Sequence, residues 1–323
     1  MLLAGDIGGT KALLALADAG AVRFERRYRC GDFAAFGALL ERFLADAGRA
    51  LGGPPDIECA GLGVAGPVQG AHVRLTNLPW EIDAADLGIA RVHLLNDFEA
   101  NAHGLDALGE DDLATLQQGA PLEGAPRLLI GAGTGLGVAF VVGRSRSLRV
   151  IAGEGGHVAF APADDLQDAL WHHLHPALGR VELEHVVSGA GLARIYAFLR
   201  DSGRYAESPA TRAALAAGDP APVIARAALE SGDTLALAAL DLFIACYGAA
   251  AGDHALAVLA RGGVYLAGGI APKILPRLRT GGLVAAFNAK GDFADAARAC
   301  PVQVVTNERL GLLGAVAAAG RLT

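Results

Sequence analysis

The chain has 323 residues, enough for two lobes with cores of their own. Hydrophobic residues make up 53% of it and glycines number 44, which excludes a disordered chain and suits a compact α/β enzyme with many tight turns. A formal net charge of -7 gives no support for binding nucleic acid or an anionic membrane, although the charge inside a local cleft can differ.

The first patterned stretch is LLAGDIGGTKALLAL at residues 2–16. Residues 2–5 read as a strand entering a core and 12–17 as a strand leaving it, with Asp6, Gly8, Gly9 and Thr10 at the turn. The spacer is too short for a crossover helix, so the unit is a β-hairpin. A dinucleotide fingerprint, which needs strand, glycines and then helix, is disfavoured. An ordinary tight turn accounts for the glycines but leaves Asp6 unexplained, because a carboxylate at the end of a core strand needs a partner, a cation or water. With the hydroxyl of Thr10 and the charge of Lys11 beside the amides, such a turn can hold phosphate oxygens while Asp6 faces a metal ion or its waters.

Three antiparallel strands are expected at 2–6, 11–17 and 22–28, then a helix at 33–47 with Phe33, Phe36, Leu39, Leu40, Phe43 and Leu44 at helical spacing. CAGLGVAGPV predicts a strand at 59–64 ending in a Gly-Pro turn. In VHLLNDFEANAHGL a strand runs into a helix with Asn96 and Asp97 at the switch. Asp97 stands after a core strand on the rim of a helix, a rigid place for a general base. The structural alternative is a helix cap, which Asn96 can supply almost as well.

A second lobe is expected over 110–307, with 1–109 and a C-terminal helix at 308–323 forming the first. The second lobe opens on RLLIGAGTGLGVAFVV at 127–142, again strand, glycine turn, strand, as if one phosphate-gripping hairpin had been duplicated. GAGTGLG at 131–137 clusters backbone amides around one hydroxyl, Thr134, and lacks the Lys-Ser/Thr end of a Walker A loop. In AGEGGHVAF, Glu154 and His157 flank two glycines that can turn both side chains into one cleft; a surface loop is the alternative. Two ligands without a third do not make a zinc site. Glu184 precedes a helix start at Ser188, with Glu182 its competitor as the inward carboxylate.

Helices follow at 164–174, 189–200 and 234–251, the last read as a core helix because Asp241, Cys246 and Tyr247 interrupt it. LAGGIAPK at 266–273 sets Gly268 and Gly269 between a buried strand and a helix after Pro272. Small residues there let an adenine or ribose lie against backbone, and a plain strand-to-helix turn would use the same pair. Cys30, Cys59, Cys246 and Cys300 are scattered without zinc-like pairing, and the apolar start is too short for a signal peptide or a span. Reduced thiols in a cytoplasmic protein are expected. An asparagine, an aspartate, two glutamates and a histidine suit a polyhydroxylated ligand, and transfer of a phosphoryl group to a sugar hydroxyl needs one carboxylate to take the proton.

These residues resemble the bacterial glucokinases of the hexokinase-like group, within the sugar kinases of the actin-like ATPase fold. The resemblance is carried by GDIGGTK at 5–11, GVAGPV at 63–68, LTNLPW at 75–80, LLNDFEANAHG at 94–104, IGAGTGLG at 130–137, GEGGH at 153–157, EHVVSGAGL at 184–192 and YLAGGI at 265–270, in the family's order. It implies a two-lobe α/β, ribonuclease H-like fold with a central cleft, and ATP-dependent phosphorylation of D-glucose. Asp97 would be the catalytic base, and Asn96, Asp97, Glu154, His157 and Glu184 would bind the sugar. Gly5, Asp6, Ile7, Gly8, Gly9 and Thr10, with Gly133, Thr134 and Gly135, would be the phosphate elements, and Gly268 with Gly269 the adenosine region. Asp6 would reach Mg²⁺ through water.

The resemblance further implies MgATP as co-substrate, a homodimer and a cytoplasmic location, without nucleic acid or membrane as partner. The related repressor-and-kinase family adds a zinc-holding cysteine cluster; here no cysteine follows His157 until Cys246, so no structural zinc is expected. Nor is a DNA-binding segment expected ahead of the first hairpin. The rival expectations are a kinase for another hexose, polyphosphate as donor, and a sugar sensor without catalysis.

Overall fold

The apolar runs around Gly8 pair as β1 (Leu2–Ile7) and β2 (Lys11–Asp18), antiparallel, with β3 (Ala21–Arg29) on the outer side of β2. In this computed structural model, which describes residues 1–18, 21–76 and 78–322, the hairpin extends through parallel pairs to β4 (Cys59–Val64) and β8 (Arg91–Asn96). The sheet order is β3-β2-β1-β4-β8. A small antiparallel sheet of β5 (Val68–Gln69), β6 (His72–Arg74) and β7 (Glu81–Asp83) lies between β4 and β8 in the chain. Asn77 of the LTNLPW motif is outside the described residues.

The helix expected at 33–47 is α1 (Phe36–Leu51). Cys30–Asp32 turns as a short 3-10 helix and Ala35 stays extended, which delays the start; Gly52, left-handed at φ 82°, sets the end. Phe33 lies outside the helix yet packs edge-on against Tyr28 at 5.8 Å. On the buried face of α1, Asp46 accepts from the Tyr28 hydroxyl (2.9 Å) and Arg42 (3.2 Å), pairs with Arg26 (3.0 Å) and meets Arg49. Burial opposes this charge, but the hydroxyl and the three guanidiniums outweigh it and hold the carboxyl down to about 2.

Two units divide the chain. The first comprises Met1–Glu110, Arg144–Ala152 and Asn307–Thr323, and the second Asp111–Gly143 and Gly153–Thr306. The segment 144–152, read from the sequence as part of the second lobe, therefore groups with the first. It includes most of β12 (Arg149–Gly153), and Arg321 near the C-terminus donates to the Leu148 carbonyl at 3.0 Å, a tie that residue order does not reveal.

In the second unit β10 (Arg127–Ala132) and β11 (Leu136–Val142) form the other glycine hairpin. Parallel β13 (Gly263–Ala267) and β14 (Val302–Val305) continue from β10, and β9 (Leu113–Gln117) closes the edge antiparallel. Hairpin followed by two parallel strands is the same order as β2-β1-β4-β8, so the likeness of the two glycine motifs extends to topology.

The expected helices appear as α3 (Asp165–Leu178), α4 (Gly189–Asp201) and α7 (Thr234–Val258). Sequence reading missed α5 (Pro209–Ala217) and α6 (Pro220–Glu230), each started by proline after a polar residue, a signal that was present. α7 is long and apolar enough to cross a membrane by length and composition, but 78% of its most apolar window is buried, against α4, α6 and α9 (Gly282–Asn288). That burial is the mark of a core helix. After Pro272 stands only the single turn α8 (Leu275–Leu278), and α10 (Ala294–Arg298) precedes β14.

The last helix, α11 (Leu310–Ala319), packs on β1, β4 and α2 (Asp97–His103) inside the first unit. It approaches α2 so closely that a Cβ on Gly314 would overlap the Ala100 carbonyl oxygen and stand 2.9 Å from the Gly104 nitrogen. Both are backbone atoms, which cannot swing aside. Gly314→Ala is therefore expected to destabilise by about 3 kcal/mol, read as a lowered midpoint in urea with an unchanged slope. A wild-type midpoint would show that α11 can shift without loss.

Candidate active site

In the first unit the chemistry-bearing residues gather at the carboxyl ends of the parallel strands, the usual place for a ligand in an open α/β sheet. Asp6 lies within β1, opposite Leu13 of β2 and Gly63 of β4, and the turn proper is Gly8 to Thr10. Gly5 and Ile7 are strand residues too, Gly5 packed under Leu14 and Leu62 and Ile7 buried in the core. The turn is braced from below. Gly8 N–H donates to the Lys11 carbonyl (3.0 Å), Cys30 N–H to the Thr10 carbonyl (2.9 Å), and the Cys30 thiol to the Gly8 carbonyl (3.3 Å).

At the end of β8 the alternatives for Asn96 and Asp97 separate. Asn96 is the N-cap of α2: its Oδ1 accepts from Phe98 N–H at 2.9 Å, and its Nδ2 donates to the Gly66 carbonyl of the GVAGPV motif at 3.3 Å. Asp97 is the first residue of the helix, with Oδ1 also 2.9 Å from Phe98 N. The Phe98 N–H is thus shared by the two side-chain oxygens, with Asn96 in the N-cap position.

Asp6 and Asp97 feel each other. Burial, and then the negative charge of Asp97, push the Asp6 carboxyl up to about 6, against the pull of Arg27 on β3. Gly311 of α11 leaves room for the Asp6 side chain, since a Cβ there would stand 2.8 Å from its carboxylate carbon. Nothing in the local sequence pairs residue 311 with residue 6.

The second unit builds a matching corner at the ends of β10 and β13. Gly133 N–H donates to the Gly135 carbonyl (2.9 Å), leaving Thr134 exposed at the tip as Thr10 is in the first hairpin. The start of α4 joins the turn, Gly189 N–H donating to the Gly133 carbonyl at 2.8 Å. Gly268, left-handed at φ 80°, lies against Ala132, and Ile270 N–H donates to the Ala132 carbonyl at 3.2 Å. Gly268 and Gly269 therefore sit next to the Gly133 to Gly135 turn.

Glu184 completes that corner. Its Oε2 accepts from Leu136 N–H at 2.9 Å, and it lies over Gly135 so closely that a Cβ there would overlap the carboxylate. Glu182, its competitor in the sequence, points elsewhere: its Oε2 is 2.8 Å from His157 Nδ1. Glu154 is the more distant partner, 3.8 Å from His157 Nε2 and largely exposed. Hydrogen bonding to Glu182 raises the His157 pKa, with Glu184 and Glu154 adding to the pull, and His157 in turn lowers that of Glu182. Glu154, Glu182 and His157 form one cluster, and Glu184 belongs to the glycine corner.

The sequence presents Glu182 only as the competitor of Glu184 and Gly66 only within the GVAGPV motif, while Cys30 and Gly311 carry no site signal. A cavity of about 470 Å³ among α5, α6 and the start of α7, lined by Ser208, Thr211, Arg226 and Asp233 among others, holds none of the expected site residues. Among the described residues no group of three or more His, Cys, Asp or Glu side chains is placed to hold a metal ion. The four cysteines are free and buried.

The family model described as Glucokinase matches residues 3–322. The chain is 40% identical over 344 residues to the glucokinase of Nostoc sp. (strain PCC 7120 / SAG 25.82 / UTEX 2576), covering 100% of this chain and 99% of the relative. To the glucokinase of Synechocystis sp. (strain ATCC 27184 / PCC 6803 / Kazusa) it is 40% identical over 347 residues, covering 99% and 98%. A solved glucokinase from an Antarctic psychrotroph superposes with a TM-score of 0.83 at 30% identity, over 99% of this chain and 98% of that one. A glucokinase from Balamuthia mandrillaris in complex with glucose shares the fold, with a TM-score of 0.80 at 22% identity over 99% and 93%. With one model spanning nearly every residue and full-length relatives at 40% identity, the chain belongs to the glucokinase family.

Proposed function

We propose that Asp97 is the base through which this glucokinase-family chain phosphorylates D-glucose. The γ-phosphoryl group of ATP passes to the 6-hydroxyl, giving glucose 6-phosphate and ADP, and the hydroxyl proton goes to the Asp97 carboxylate. The observation that supports this reading is the electrostatic coupling of Asp97 to Asp6, the carboxylate proposed to face the metal-bound phosphates. Asn96, Glu154, His157 and Glu184 hold the sugar hydroxyls. Their mixture of donors and acceptors discriminates among hexoses because each mismatched hydroxyl leaves a polar partner unmade.

Two glycine turns, Gly8 to Thr10 and Gly133 to Gly135, hold phosphate oxygens with backbone N–H groups, and Gly268 with Gly269 lies against the adenosine. The donor set fits a magnesium ion: Asp6 is a desolvated carboxylate crowded by a second negative charge, and Mg²⁺ takes one or two carboxylates while keeping its waters. When bound, the ion neutralises charge developing on the phosphates. The chain acts in the cytoplasm as a homodimer.

ADP release from the purified protein with MgATP and D-glucose, D-fructose, D-mannose, N-acetylglucosamine or no sugar tests the reading. Strong release with glucose, matched by glucose 6-phosphate, is expected. Preference for another hexose would change the substrate, and release independent of sugar would overturn the reading.

A further inference from the structure

We propose that Glu182 is a positioning residue for His157: it holds the imidazole by Nδ1 and so presents Nε2 to the sugar. The proposal rests on the reading of His157 as a sugar-binding residue. Two glutamates that compete in sequence for one inward role have two different tasks in the structure. Glu184 accepts from Leu136 N–H through Oε2 at the glycine corner, and Glu182 meets the histidine ring through its own Oε2.

The clamp is built into the backbone. Residues 158–160 run antiparallel to 181–183 through an Ala159 to Glu182 bridge, with Leu183 N–H donating to the Val158 carbonyl (2.9 Å) and Phe160 N–H to the Val181 carbonyl (3.0 Å). This fixes Glu182 beside His157. Arg180 secures both partners, its Nε 3.4 Å from Glu182 Oε1 and its Nη2 donating to the His157 carbonyl at 3.2 Å. Glu182 N–H donates to His185 Nδ1 at 3.1 Å.

The carboxylate is well placed for the task. Glu182 is 22% exposed and Glu154 is 88% exposed, so of the two flanking the ring Glu182 is the one held in place by packing. A carboxylate 2.8 Å from Nδ1 requires a proton on that nitrogen. The neutral ring then accepts a sugar hydroxyl at Nε2, and the protonated ring donates there. Either way one nitrogen is spoken for and one remains for the ligand, the arrangement by which outer partners orient a binding histidine. Besides Glu182, the ring feels the negative charges of Glu154 and Glu184; Arg180 and His185 act on Glu182, and His254 of α7 meets the backbone at Gly155.

The test uses full-length Glu182→Ala, Glu182→Gln and His157→Ala proteins, with thermal melts to confirm folding. In steady-state kinetics Glu182→Ala should raise the KM for glucose roughly tenfold while kcat changes about threefold or less. The amide oxygen of Glu182→Gln still accepts from Nδ1–H, so this variant should recover most of the lost affinity. It removes the charge, so the NMR titration of the His157 ring should move to lower pH. The titration confirms the contact, and the rise in KM without a matching fall in kcat, with its rescue by Glu182→Gln, separates positioning from a merely structural role. A wild-type KM in Glu182→Ala, while His157→Ala loses affinity, overturns the proposal alone. A wild-type KM in His157→Ala overturns the sugar role of the histidine, and the proposal falls with it.

Discussion

Asp97→Asn is expected to lower kcat by roughly two to four orders of magnitude, while glucose affinity, measured by calorimetry, changes only a few-fold. The carboxamide is nearly the same shape, and its oxygen can keep the contact that Asp97 Oδ1 makes with Phe98 N–H. The start of α2 survives because Asn96 holds its own cap at 2.9 Å. What the amide cannot do is accept the hydroxyl proton as the phosphoryl group arrives. The two aspartates are also coupled, so removing the Asp97 charge should lower the pKa of Asp6, visible in the pH dependence of stability. Near-normal turnover would remove Asp97 from the role of base.

Asp6→Asn should have opposite effects on activity and on stability. If Asp6 faces the metal-bound donor as proposed, loss of its carboxylate is expected to cut kcat/KM for MgATP by roughly two to three orders of magnitude. The free protein, in the absence of divalent cations, should become more stable. Asp6 has its folded pKa raised above the unfolded value of 3.8, to about 6, by burial and by Asp97. Its favourable contribution is therefore complete below the unfolded pKa and is lost as pH rises through about 6, beyond which the charged carboxylate strains the fold by on the order of 1 to 3 kcal/mol. Melting at pH 7.5 should shift upward in Asp6→Asn by several degrees, and the gain should vanish near pH 4. A variant no more stable than wild type at pH 7.5 would mean that Asp6 is adequately solvated without a cation.

Much of the fold was legible in residue order because its signals are local. Apolar runs on either side of a few glycines can only turn back on themselves, and both hairpins follow. The strand at Cys59–Val64 was read with its observed bounds from an unbroken apolar stretch closed by Gly-Pro. Helix ends were less legible. α1 starts later than its apolar spacing suggests because the chain first makes a 3-10 turn beside the Gly8 to Thr10 turn, where the Cys30 thiol reaches the Gly8 carbonyl.

The candidate site divides along the same line. Asp97, His157 and the glycine turns stand out by residue type at an element boundary. The separate tasks of Glu182 and Glu184 do not, since the two differ only in their partners: His157, 25 residues away, and Leu136, 48 residues away. Residue order therefore accounts for the elements, for their sequence along the chain and for the kinds of groups available to the chemistry, because periodicity and turn preference act over a few residues. Folding alone decides which carboxylate meets the histidine, that Asn96 and not Asp97 is the N-cap, and that Gly311 lets the last helix close over Asp6. Those outcomes depend on packing between segments far apart in the chain, where no local pattern records the partner.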